Sequence, residues 1–318
     1  MAQTTTTSTP IALYKNPDEG DLTLRTSDQV DFFVHRRRLA DVSSVFADMF
    51  SFPQPAIEGK VADERPVVDV SEKSRVWEWL LPYIYVAEEP NIALGQIYDL
   101  LEATRKYQMP GVRSRLKIHL MRSDFLDEEP YAVYALACVG GFEDVARLAA
   151  RRTLRLPVYP EDAPEFAHVS GRAIVRLLDY RRRCSDATSA LFSIGTGSPR
   201  ELTERSAWLC DRLSTYGRHS CCMVSVKFPA VTAPFQRPRT EGSQSPWLPC
   251  VDRLKEELRY LPDATAVFGA LQPTFLIDSA KSCHACLDVI REDLTSFSAE
   301  AQEKIKTAIA RVPFVLVQ

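Results

Sequence analysis

Cys283-His284-Ala285-Cys286 is the stretch whose residue types and spacing most directly suggest chemistry. A two-residue gap lets two thiolates reach one zinc ion while the backbone amides of the intervening turn point at the sulfurs. His219, Cys221 and Cys222 offer a second half, with Cys210 in reserve. Four nitrogen or sulfur ligands from this set would close a structural site. The long separation of the halves would make it a tie between distant segments rather than a small finger. The other reading is ordinary buried thiols, since free cysteine is among the most buried residue types. Cys138 and Cys184 fall on expected helices and are read that way. Structural zinc is thus the one cofactor expected, and none is required.

Other chemistry finds little support. The sequence has no P-loop, HExxH, GxSxG or dinucleotide fingerprint. Gly195-Thr196-Gly197 supplies only two glycines of such a pattern, with no clear apolar strand before it. Cysteine-histidine catalysis needs a nucleophile and a base that the sequence does not pair, so no catalytic residue is assigned and no enzymatic activity is expected. The basic triplets Arg36 to Arg38 and Arg181 to Arg183 are shorter than nucleic-acid or import signals and have acidic neighbours, so they read as solvated helical faces.

The 318 residues suffice for two modest domains, or for one domain with a helical extension. A 45% hydrophobic and 25% charged composition is that of a globular protein. The net charge of -3 gives no general attraction to nucleic acid or anionic membranes. MAQTTTTSTP lacks the basic start and apolar core of a signal peptide, and no run approaches the ~20 apolar residues of a membrane span. A cytoplasmic or nuclear location is therefore expected. Disulfides are not expected among the eight cysteines.

The elements that would position these residues are legible from periodicity. Residues 1–19 are Thr-rich and polar and are expected to be a disordered tail, with Ile11-Ala12-Leu13-Tyr14 as the apolar exception. Asp21 to Arg25 reads as one strand and Phe33-Val34 as the end of a second, a hairpin around the turn-like Thr26-Ser27-Asp28-Gln29. After His35, apolar residues at Leu39, Val42, Val45, Phe46, Met49 and Phe50 follow helical spacing. Ser43 and Ser44 divide that run into two short helices meeting near Val42. Val67 to Val70 is a third strand, and Ser71 is expected to cap the next helix. Val76, Trp77, Leu80, Leu81, Ile84 and Tyr85 form that helix's buried face, where Pro82 predicts a kink or a fresh start. Helices follow over Leu94 to Tyr107 and from Gly111, then from Pro130 to a Gly140-Gly141 stop. Another carries Phe142, Val145 and Leu148, and one more carries Val175 to Leu178 and ends at the arginine triplet. Leu254 and Leu258 mark a short helix, Leu287 to Phe297 a stripe, and Ser298 the cap of a last helix with Ile305 and Ile309.

The hairpin, His35, Leu39, and Ser43-Ser44-x-Phe46-x-x-Met49-Phe50 resemble the opening of a BTB/POZ domain of the fungal type. The likeness continues in Pro66-Val67-Val68-Asp69-Val70-Ser71, in Leu101 to Met109 and in Tyr134-Ala135-Leu136-Ala137-Cys138. It implies an α+β fold, a small three-stranded sheet with a helical cluster over residues 20–122. A helical extension over 123–190 and a helical, cysteine-containing region over 191–318 would follow. The implied function is non-enzymatic protein-protein interaction by a homodimer acting as scaffold or adaptor. On this likeness His35 is a structural residue at the strand-to-helix junction. Asp21 and Arg36 match the charged pair that BTB dimers bury near their two-fold axis, and Leu22, Leu39, Val42 and Phe46 complete the expected interface. Met49, Phe50 and Phe52 are the candidate contacts for a cullin ubiquitin ligase. BTB adaptors place Glu two positions after a hydrophobic residue there, whereas this chain reads Ser51-Phe52-Pro53-Gln54 and lacks the acid. The tails of similar fungal proteins often carry a cysteine pair like Cys283 and Cys286. If His219, Cys221, Cys222, Cys283 and Cys286 hold zinc, elemental analysis should find about one ion per chain after exhaustive dialysis. A metal-free chain that stays folded would remove that reading.

Overall fold

A computed structural model of the protein describes residues 14–52, 65–87, 90–158, 163–192, 247–267 and 284–314. The chain divides into two units, Met1–Ala146 with Ala163–Val169, and Arg147–Asp162 with Ser170–Gln318.

In the first unit, strands β1 (Leu22–Arg25) and β2 (Asp31–Val34) form the antiparallel hairpin, and β3 (Val67–Asp69) joins the other side of β1 in parallel, giving the order β2-β1-β3. The register pairs Leu22 with Val34 and Leu24 with Phe32, so four apolar side chains share the buried face. At the hairpin's far end, Arg25 grips Asp31 with two parallel bonds of 2.8 and 2.9 Å, and the guanidinium's bonds hold the Asp31 carboxyl below its ordinary range. Among the described residues, seven helices follow from the hairpin onward: α1 (Arg36–Val42), α2 (Ser44–Ser51), α3 (Ser74–Ile84), α4 (Leu94–Lys106), α5 (Pro110–Leu120), α6 (Ser123–Glu128) and α7 (Pro130–Gly140). A 3₁₀ turn over Pro164–His168 packs its Phe166 ring near Tyr131 and Tyr134, and stacks His168 on Tyr98 at 3.6 Å.

The described residues bear on several expectations. Tyr14, from the apolar exception in the N-terminal tail, is buried with its ring 5.0 Å from that of Tyr85. Pro82 does not restart the helix, since α3 runs unbroken through it to Ile84, and in this last turn its missing N–H forfeits a single helical bond. Beyond it the Ala87 N–H closes back on the Pro82 carbonyl at 2.9 Å around a left-handed Val86, φ 55°, in the arrangement that usually employs glycine. Ser71 does not cap α3. Asp28, in the hairpin turn 46 residues earlier, accepts the Ser74 amide at 2.8 Å and the Ser74 hydroxyl at 2.7 Å. Hydrogen bonds from Thr26 and Ser74 hold the Asp28 carboxyl well below the carboxylate range. Of the residues over 123–190, α6, α7 and the 3₁₀ turn fall in the first unit and the helix after Ser170 in the second.

The second unit takes the end of α8 (Glu143–Thr153) with α9 (Gly171–Ala190), α10 (Trp247–Tyr260) and α11 (His284–Arg311). Its core includes Leu154, Leu177, Tyr180, Leu254, Leu258, Phe297 and Ile305. No break occurs at Ser298. Phe297, Ala301, Ile305 and Ile309 keep a spacing of four on one buried stripe, which carries a single helix through the serine.

Nor does α9 end at the arginine triplet, and Arg181 is 3% exposed rather than solvated. Its guanidinium donates to the carbonyls of Thr153, at the end of α8, and Leu156, at 2.7 Å for the latter, and lies 3.5 Å from that of Tyr260, the last residue of α10. A cation there meets the partial negative charge of two helix C-termini. Arg181→Leu strands these acceptors, and we expect it to cost about 3 kcal/mol in chemical denaturation. Arg181→Lys should recover only part of that, because a single ammonium does not reproduce the guanidinium's fork.

Candidate protein-interaction surface

The hairpin delivers the chain to α1 through His35, whose N–H donates to the Tyr85 hydroxyl at 2.8 Å while ring Nδ1 lies 3.1 Å from the same oxygen. This is the structural role expected of His35. The first amide of α1, that of Arg36, donates to Asp21 Oδ1 at 2.7 Å. Asp21 therefore serves as a remote cap, giving α1 the side-chain acceptor that His35 does not supply. The Arg36 guanidinium lies 5.8 Å over the Phe50 ring. Its Nε is buried without a hydrogen-bond partner among the described residues.

Ser43 turns α1 into α2. Its amide closes α1 on the Leu39 carbonyl, and its hydroxyl oxygen accepts the Phe46 amide at 3.2 Å. The same hydroxyl donates to the Tyr107 carbonyl at 2.5 Å, pinning the junction to the end of α4. Phe46 then stacks on Tyr107 with centroids 5.0 Å apart and meets Trp77 edge-on at 6.1 Å. The Tyr107 hydroxyl donates to Glu72 Oε2 at 2.6 Å, and Lys106 pairs with Glu72 Oε1 at 2.8 Å. Burial, then the bond to Glu72, push the Tyr107 hydroxyl far above its usual range. For Glu72 burial works upward, but the bonds from Lys106 and Tyr107 outweigh it and leave the carboxyl below its ordinary value.

This packing sorts the expected interface residues. Leu22, Leu39 and Phe46 are 1%, 0% and 0% exposed, so they pack in the domain's own core beneath that surface. Asp21, Arg36 and Val42 retain surface, Asp21 as an exposed residue and the other two as half-buried ones. Along α2 and just past it, Met49 is 37% and Phe52 71% exposed, with Phe50 half-buried. His219, Cys221, Cys222 and Cys283, with Cys210 and the Cys286 side chain, lie outside the described residues. Cys184 is buried, and that burial pushes its thiol up to about 11. Sequence reasoning missed Asp28 and Glu72 as positioning groups. Asp28 carried a signal, an acid in a turn, but nothing local ties it to Ser74.

A BTB/POZ domain family model matches residues 12–124, from just before the buried Tyr14 to the start of α6. This stretch is a BTB/POZ domain. No curated protein matches the chain. BTB/POZ domains are protein-interaction modules, so the function of residues 12–124 is protein binding. Among the described residues, no helix is long and apolar enough to cross a membrane. Within the BTB domain the Glu72 network sets a pH dependence. A carboxyl whose folded value is lowered adds stability above its unfolded value near 4.5, and that stability is lost as pH falls through the folded one. Glu72→Gln should cost about 1 kcal/mol at pH 7 by urea unfolding. The gap between variant and wild type should close as pH is lowered from 5 towards 3.

Proposed function

We propose that this protein is a non-enzymatic scaffold or adaptor that self-associates through its BTB domain, using the surface around Asp21, Arg36 and Val42. The observation that carries the reading is Arg36. Its Nε is buried yet lacks a partner among the described residues, while the Asp21 carboxylate beside it is exposed and uses Oδ1 for the Arg36 amide. Leaving a buried cationic donor unpaired is costly, and a two-fold contact would let the carboxylate of one copy meet the guanidinium of the other, the self-complementary arrangement of closed dimers. Val42, half-buried one turn after Leu39 on α1, adds an apolar neighbour.

A second reading is favoured by Met49 and Phe52, two exposed apolar side chains near the end of α2. They support docking of a cullin and recruitment of substrates to a ubiquitin ligase, although the acid of the adaptor pattern is absent at Gln54. Under a further alternative, the protein is a scaffold without a ligase role, and its C-terminal cysteines form a structural zinc module. Location in the cytoplasm or nucleus accords with all three.

Light scattering on the full chain tests the first reading. Wild type should have the mass of a dimer in the micromolar range, and Arg36→Glu and Val42→Glu should each give a folded monomer with little change in melting temperature. A wild-type monomer throughout that range overturns self-association. In the same preparations, pull-down of purified cullin that is lost in Phe52→Asp would support the ligase reading, and no pull-down by wild type would remove it.

A further inference from the structure

Beyond Ala146 the first unit takes back one short piece of chain, residues 163–169, and what precedes and follows that piece belongs to the second unit. The 3₁₀ turn lies within it, and it is laid as a strap on α4 and α7. The Phe166 ring is 6.2 Å from that of Tyr131 and 6.5 Å from that of Tyr134, both on α7, while His168 stacks on Tyr98 of α4. The strap's amide bonds run inside it, from Phe166 to the Ala163 carbonyl at 3.1 Å and from Val169 to the Phe166 carbonyl at 3.2 Å. Among the described residues, none of its side chains forms a hydrogen bond or an ion pair. Glu165 is 7% exposed, and its Oε1 stands 3.8 Å from the place a Cβ would take on Gly95, in the first turn of α4.

Other segments of this unit are tied down differently. β3 pairs with β1 along its backbone, and α3 is stitched to the hairpin turn by two hydrogen bonds to Asp28. The strap is seated by rings, and a carboxylate taken out of water without a bonded donor weighs against its seating. The start of α4 offsets part of that cost, since the free amides there favour an acid. We infer that residues 163–169 are a releasable strap, which leaves its seat on Tyr98, Tyr131 and Tyr134 while the BTB domain stays folded. Opening of this kind draws on short contiguous segments with few bonds to their surroundings. Closed, the strap holds the chain to the first unit at a second place. Open, α8 (Glu143–Thr153) is the one covalent connection, since the boundary between the units falls within it at Ala146. The strap shares no residue with the surface around Asp21, Arg36 and Val42 or with Met49 and Phe52, so its opening is independent of dimerisation and of cullin binding.

The test is chymotrypsin cleavage of the full chain in native buffer, read at early times by mass spectrometry. Cleavage after Phe166 reports the strap, and cleavage after Tyr134, a fully buried ring of the same unit, reports unfolding of the domain. The Phe166 site should be cut about tenfold or more faster than the Tyr134 site. Its rate should rise about twofold at most on adding about 1 M urea, because local opening exposes little surface. Tyr98→Ala should raise the Phe166 rate about fivefold or more and leave the Tyr134 rate and the urea midpoint unchanged. Should Tyr98→Ala unfold the domain, His168→Ala removes the same stack from the exposed partner, with the same expected result. A labelled peptide of residues 161–171 should bind the chain carrying Phe166→Ala and His168→Ala about tenfold or more tightly than wild type, whose tethered strap competes for the seat. The inference is overturned by equal cleavage after Phe166 and Tyr134, by a stack-removing variant that accelerates both sites alike or neither, or by a peptide that binds both chains equally or not at all.

Discussion

The bond from the Ser43 hydroxyl to the Tyr107 carbonyl holds the interaction surface in place. Two short helices of seven and eight residues have little stability of their own. They persist because the residue between them closes one, opens the other and is tied to a third element through a single hydroxyl. The rings of Phe46, Tyr107 and Trp77 then exclude water around that bond, and a buried hydrogen bond in such surroundings is expensive to break. The exposed faces of α1 and α2 are consequently presented on a rigid support, although neither helix would supply one alone.

How much of this was legible in the sequence depended on the range of the interaction concerned. Periodicity located the hairpin, the division at Ser43 and the helix from Pro130 to Gly140, since each follows from residues within a turn or two. It also separated apolar from polar positions. What it did not separate was apolar residues that fill the core from apolar residues that meet a partner, so Leu22, Leu39 and Phe46, packed in the core, share one expected set with the half-buried Val42. A helical stripe shows which side chains avoid water, not which neighbour covers them. Arg181 failed in the opposite direction. A triplet of arginines reads as solvated, and only the convergence of two helix ends on α9 makes its middle-helix position a place for a buried cation.

Polar side chains serve both kinds of helix end. Asp21 at α1, Ser43 at α2, Asp28 at α3 and Ser170 at α9 accept amides at helix starts. Arg113 at the end of α7 and Arg181 at the ends of α8 and α10 donate to carbonyls. Both follow from the same partial charges, with acceptors placed where backbone amides are free and a donor where carbonyls are free.

Asp28 has a kinetic meaning as well as a structural one. The hairpin turn and the start of α3 share one carboxylate, so neither is complete until the intervening chain, β3 included, has been drawn back. An ordinary N-cap forms within its own helix and can do so early. This one waits on closure of a long loop, an entropic cost that falls before the reward. Opening of either element removes the cap from the other, so amide exchange in the turn and in the first residues of α3 should occur through one shared opening rather than two separate ones.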